Sequence, residues 1–113
     1  MRTSSAKAKG RTLQGWVRDI ILSINPELMG EDVRNTSSGA QGEDVQLSPA
    51  ARELIPMQIE CKNLARHAVY KHYEQASTHG NHEPLLIIKQ NRSKPLAVVD
   101  AAYYFELLRK ANR

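Results

Sequence analysis

The sequence of 113 residues predicts a single α/β (α+β) domain, in which a central mixed five-stranded sheet is flanked by helices in the order αβββαββα. Three observations carry this. Helical apolar spacing occurs near both ends and once in the middle. Two short alternating runs, 43–47 and 57–62, are separated by a Ser48-Pro49 helix start. A continuous apolar run, Leu85–Lys89, is followed across a polar turn by a second short apolar run, 96–99, the pattern of a hairpin.

Each element has a local reason. Leu13, Trp16, Val17, Ile20, Ile21 and Ile24 recur at helical intervals from Gly10 onward, and Asn25-Pro26 stops that helix. Residues 1–9 are small, polar and basic and are expected to form an unstructured tail, with one domain over 10–113. Residues 32–37 are a weak strand candidate, and 38–42 read as a turn. Val45 and Leu47 alternate with Asp44 and Gln46. Ser48 is an expected N-cap with Pro49 at the first helical position. Residues 57–62 form a strand, 64–77 a helix, 78–84 a loop, and Asp100 caps a last helix reaching about Lys110.

Composition narrows the function. A lone cysteine, Cys61, allows no intrachain disulfide and no multi-cysteine zinc site, which fits a reducing compartment. No apolar run is long enough to span a bilayer, and the basic start is not followed by a signal-peptide core. The net charge of +4 is modest. Its placement is more informative: Arg2, Lys7, Lys9, Arg11 and Arg18 precede or flank the first acid, Lys89, Arg92 and Lys94 cluster later, and Arg109, Lys110 and Arg113 end the chain. Separated basic clusters suit a polyanion such as nucleic acid, and equally a solvated surface.

The chemistry centres on Gln58-Ile59-Glu60-Cys61-Lys62. On a strand, Met57, Ile59 and Cys61 point one way and Gln58, Glu60 and Lys62 the other. Cys61 is then a small core residue. Glu60 and Lys62 taken alone read as a surface ion pair contributing about a kcal/mol or less. Asp44 changes that reading. It lies sixteen residues before Glu60, on the polar face of the strand expected to pair antiparallel with 57–62. Two carboxylates side by side repel unless a cation lies between them, and such oxygen ligands suit Mg²⁺, with Mn²⁺ as a substitute. Lys62 beside them is placed to orient a water or neutralise a developing oxyanion. Other candidates carry less. His79 and His82 read as a polar loop, because no second ligand pair accompanies them. Trp16 and Tyr103-Tyr104 are able to stack on bases, but their helical spacing favours core or a subunit interface.

The D-(x)n-E-x-K arrangement on a hairpin, after a helix and a Ser-Gly turn, resembles the PD-(D/E)xK nuclease superfamily, and within it the archaeal-type Holliday junction resolvases and their small phage relatives. The resemblance covers about Lys9 to Val99. It implies a restriction-endonuclease-like core and a Mg²⁺-dependent endonuclease that acts on branched or four-way DNA in recombination and repair. It also implies a cytoplasmic setting in a bacterial or phage-infected cell. By the resemblance, Asp44 and Glu60 are the metal ligands, Lys62 assists the nucleophile, and Gln14 and Ser38 are auxiliary. Lys7, Lys9, Arg11, Lys71, Gln75, Arg92 and Lys94 are the residues expected to meet DNA. A symmetric cut of two strands implies a homodimer. Two departures stand out: Glu43 occupies the usual proline position before the aspartate, and Gln14 occupies that of a helix-borne glutamate. The alternatives are another structure-specific or nicking nuclease, or a non-catalytic DNA-binding protein on the same fold.

Overall fold

Residues 2–36, 42–63 and 68–111 are described by the computed structural model, the side chains of 2–7 excepted. The first helix, α1 (Arg2–Ile24), begins well before Gly10. The expected tail is therefore helical. Ala6, Lys7, Ala8 and Lys9 are strong helix formers, and extending an existing helix adds one hydrogen bond per residue fixed. A 3-10 turn (Gly30–Asp32) leads into β1 (Val33–Asn35). Then follow β2 (Val45–Leu47), α2 (Pro49–Leu54), β3 (Met57–Asn63), α3 (Val69–Ser77), β4 (Glu83–Lys89), β5 (Leu96–Val98) and α4 (Ala101–Ala111).

The strands form one mixed five-stranded sheet in the order β1-β2-β3-β4-β5. All neighbours are antiparallel except β3 and β4, which run parallel with α3 as their connection. A parallel pair requires such a crossover. β3 is the central strand, and Met57 through Cys61 are all buried. Parity then sorts its residues. Ile59 and Cys61 join Leu13, Val17 and Ile21 of α1, with Val33, Val45 and Ile87, in the main core. Gln58 and Glu60 face the side covered by α3, where Ala76 is buried.

Only one row of α1 is used for this packing. Leu13, Val17 and Ile21 are buried, whereas Trp16, Ile20 and Ile24 are 46%, 38% and 64% exposed. The apolar stripe read from the sequence is wider than the contact, because β1 and β2 beneath the helix are three residues each. Arg18, counted among the basic residues of the N-terminal region, is spent internally: its Nε donates to Val33 O at 2.7 Å and its Nη2 to Gly30 O at 3.1 Å. It ties α1 to the edge strand.

The turns follow their residues. Gly42 adopts φ 98°, the left-handed region that favours glycine, just before β2. Ser48 caps α2 by accepting from Ala51 N at 3.1 Å, with Pro49 opening the helix. Asp100 accepts from Tyr103 N at 2.9 Å and starts α4. No residue of α4 is buried, and Tyr104, Phe105, Leu107 and Leu108 are exposed. Among the described residues, no helix is long and apolar enough to cross a membrane.

Candidate active site on the central strand

The Val45↔Ile59 pairing brings Asp44, the residue before β2, alongside β3 and close enough to Glu60 for their charges to interact. This is the juxtaposition expected from the spacing. Asp44 N donates to Ile59 O at 2.9 Å, and Cys61 N donates to Asp44 Oδ2 at 2.8 Å. The aspartate therefore supplies a side-chain acceptor to the backbone of β3. On the other side of β3, Glu60 is in parallel register with Leu86, which is fully buried. Glu60 thus has an apolar neighbour on one side and a carboxylate on the other.

Glu60 is 3% exposed. Its Oε2 lies 3.3 Å from Lys62 Nζ, and its Oε1 lies 3.2 Å from His79 Nε2. The imidazole is off hydrogen-bonding geometry, and Oε1 has no hydrogen-bond partner. Burial pushes the Glu60 carboxyl above its ordinary range, the Asp44 charge adds to this, and Lys62 and His79 oppose it. Asp44 is also pushed up, first by burial, against the Cys61 N–H bond and the charges of Lys62 and His79. Burial thus disfavours both charges, and at Glu60 the Asp44 charge adds to this, with Lys62 and His79 as the counter-charges.

His79 is the residue that the sequence pattern concealed. Read there as part of a polar loop, it is brought to Glu60 by a device on β3 itself. Gln58, only 1% exposed, donates through Nε2 to Ala76 O at 2.8 Å and to Gly80 O at 3.4 Å, and accepts His82 N through Oε1 at 3.1 Å. The loop is pinned to the strand position two residues before Glu60. A Cβ on Gly80 would stand 2.8 Å from Gln58 Oε1, so the approach depends on glycine there. His82 contributes its backbone N–H to this clamp and its side chain is exposed, so the two histidines do not act as a ligand pair.

Glu43, where proline was the expected residue, is a brace. Arg52 of α2 grips both of its oxygens, with Nη1 3.1 Å from Oε1, and also donates to Met57 O. Ile59 N donates to Glu43 Oε1 at 3.4 Å. This half-buried pair fixes the β2–α2–β3 hairpin that holds Asp44 against Glu60.

The remaining expected residues fall in different places. Gln14 shares a side of α1 with Arg18, over β1; its Oε1 is enclosed and has no hydrogen-bond partner, and no bond joins it to Asp44, Glu60 or Lys62. Lys71 and Gln75 are exposed on α3, Arg11 on α1, and Arg92 and Lys94 in the β4–β5 turn. Lys9 is half-buried. Ser38, the side chain of Lys7 and the terminal Arg113 lie outside the described residues.

Among the described residues, no three of His, Cys, Asp and Glu are grouped to hold a metal. Asp44 and Glu60 are the two carboxylates whose charges meet here, and Glu60 Oε1, buried and without a hydrogen bond, lies 3.2 Å from His79 Nε2. Two carboxylates with water completing the shell fit a hard cation such as Mg²⁺ better than a zinc cage. No family model, curated protein or solved structure matches the chain.

Proposed function

We propose that the protein is a Mg²⁺-dependent DNA endonuclease on a restriction-endonuclease-like core, acting on branched DNA such as a four-way junction. The observation that carries the proposal is the buried Glu60, with the Asp44 charge close by, Lys62 Nζ 3.3 Å from one oxygen, and the other oxygen 3.2 Å from His79 Nε2 but without a hydrogen bond. For a purely structural site this is an expensive arrangement, because buried like charges cost stability without adding packing. It becomes favourable when a cation joins it.

Asp44 and Glu60 would hold Mg²⁺, whose chemistry there is to polarise a phosphate oxygen and acidify a bound water. Lys62, part-exposed beside the buried glutamate, is placed to orient that water and to stabilise charge developing on the phosphate. His79 and the backbone N–H of Cys61 hold the two carboxylates in position. Lys9, Arg11, Lys71, Gln75, Arg92 and Lys94 would contact the sugar-phosphate backbone and give affinity without reading sequence. Paired cuts would need two copies of the site, hence a homodimer.

The test is incubation with a synthetic four-way junction, a flap and a plain duplex, with Mg²⁺, with Mn²⁺ and with chelator. Metal-dependent cleavage of the junction, lost in Lys62→Ala, is the expected result. Tight junction binding without cleavage in any metal would favour the second reading, a non-catalytic DNA-binding protein. Gln14 favours that reading, because it brings no charge where the resembling family has a carboxylate.

A further inference from the structure

A groove of about 440 Å³ runs between α1 and the ends of β3 and β4, on the face of the sheet opposite Glu60. Its lining includes Lys9, Leu13, Trp16, Asn63, Lys89 and Pro95. It opens where the only parallel pair of the described sheet ends, with Asn63 in register with Lys89. In open sheets with parallel strands, the carboxyl ends of those strands are where ligands are bound.

The groove has three distinct chemical parts. The first is a flat ring. Trp16 sits one turn from the buried Leu13 yet is 46% exposed, so the core does not consume the indole. The second is an acceptor without a donor. Asn63 uses its Nδ2 on Lys9 O at 3.5 Å, while its Oδ1 is enclosed and unpaired. A buried amide oxygen left so costs stability, and turning the amide toward the groove would let a ligand N–H remove that cost. The third is positive charge: Lys9 and Lys89 both line the groove, and Lys89 Nζ also donates to Gln90 O at 3.2 Å. An aromatic face, an acceptor and two ammonium groups match a nucleotide: a ring to stack, an amino group to donate, and a phosphate. The volume is within the range of small-ligand sites.

We propose that this groove holds one unpaired nucleotide of a DNA strand, its base stacked on Trp16 and donating to Asn63 Oδ1, and its phosphates at Lys9 and Lys89. The choice of a DNA strand rests on the nuclease reading above. Position supports it: Asn63 directly follows Lys62 on β3, so the groove and the carboxylates flank one strand end. A base inside a duplex cannot present its face to an indole. The occupant is therefore a nucleotide at a branch, a gap or a single-stranded arm.

Trp16 is the sole tryptophan, so its fluorescence reports directly on the groove. The full chain is titrated at low salt with four probes: a single-stranded oligonucleotide, an abasic strand of equal length, a blunt duplex and a free deoxynucleoside monophosphate. Anisotropy follows binding of the three DNAs in parallel. The single strand is expected to quench Trp16 saturably, while the abasic strand and the duplex bind without comparable quenching. Trp16→Ala should weaken single-strand binding by about 5- to 150-fold, the range of one base stacked on one aromatic ring, leave abasic-strand affinity unchanged, and be partly rescued by Trp16→Phe. Equal loss for both strands would mean a structural role and overturn the proposal. So would single-strand binding with no quenching, or quenching by the free nucleotide as strong as by the strand. The carboxylates are independent of these readouts: Asp44→Asn should keep the quenching. Quenching without junction cleavage by the wild-type chain leaves the groove standing and removes the nuclease reading; cleavage without quenching does the reverse.

Discussion

Asp44→Asn is the most informative substitution, because it separates electrostatics from packing. The asparagine keeps an oxygen for the Cys61 N–H bond and removes one of two opposed charges. Neighbouring residues on one face of adjacent strands have Cβ atoms roughly 5–8 Å apart. Two unit charges at such separations and an effective dielectric of about 20 repel by about 2–3 kcal/mol. Solvent access and the lost attraction of Asp44 for Lys62 and His79 reduce this to a net gain of about 1–2 kcal/mol for the variant at pH 7. For a domain of this size that is about 4–8 °C in Tm. The sign with pH follows from the direction of the shifts. Both carboxyls are raised in the folded state, so folding favours their neutral forms. The wild type is therefore relatively stable below the ordinary carboxylate range near pH 4, and loses that stability as pH rises through the raised folded values. The gap between variant and wild type should be near zero at pH 3.5–4 and open toward neutrality. Mg²⁺ should close it from the other side: at ten times its Kd it stabilises the wild type by about 1.4 kcal/mol and leaves the variant unmoved. Thermal unfolding of both proteins at several pH values, with and without Mg²⁺, measures all of this. An Asp44→Asn chain less stable than wild type at pH 7, or a pH-independent gap, would refute the repulsion and with it the case for a cation between the carboxylates.

Four other outcomes are expected. Arg52→Ala should cost about 2–3 kcal/mol in denaturant unfolding, since it leaves the mostly buried Glu43 uncompensated and frees the hairpin. Gln58→Ala should cost about 2–4 kcal/mol through its lost bonds, and should release His79 from Glu60, visible as a changed imidazole resonance. Gln14→Glu should need less Mg²⁺ for half-maximal cleavage and Gln14→Ala more; three superimposable titrations would leave Gln14 outside the site. DNA affinity should fall steeply between 50 and 200 mM salt, and a flat response would point to a partner other than a polyanion.

Strand alternation made the nearness of Asp44 and Glu60 legible, because the two runs and the Ser48-Pro49 helix start between them bring β2 back along β3. The cap at Asp100 and the core position of Cys61 were legible for similarly local reasons. His79 was not. Its approach to Glu60 depends on Gln58 reaching across to Ala76 and Gly80, a contact between residues eighteen and twenty-two positions apart. The only local hint was Gly80 beside a histidine. Trp16 lies outside the core for another reason: periodicity tells which residues share a side of a helix, but not how wide a sheet lies beneath it. Likewise Arg18 looked like surface charge until the edge strand offered it Val33 O.

The position of Cys61 gives the site a built-in reporter. It is the sole thiol of the chain, it lies between Glu60 and Lys62, and burial with two neighbouring carboxylates pushes its ionisation far up. Thiolate chemistry is therefore suppressed while β3 stays in place. A thiol-specific label will react only as fast as the central strand opens, so the labelling rate counts excursions of the very segment that carries the carboxylates. Any ligand that seats on Asp44 and Glu60 should slow that clock, whether or not a bond is ever cut.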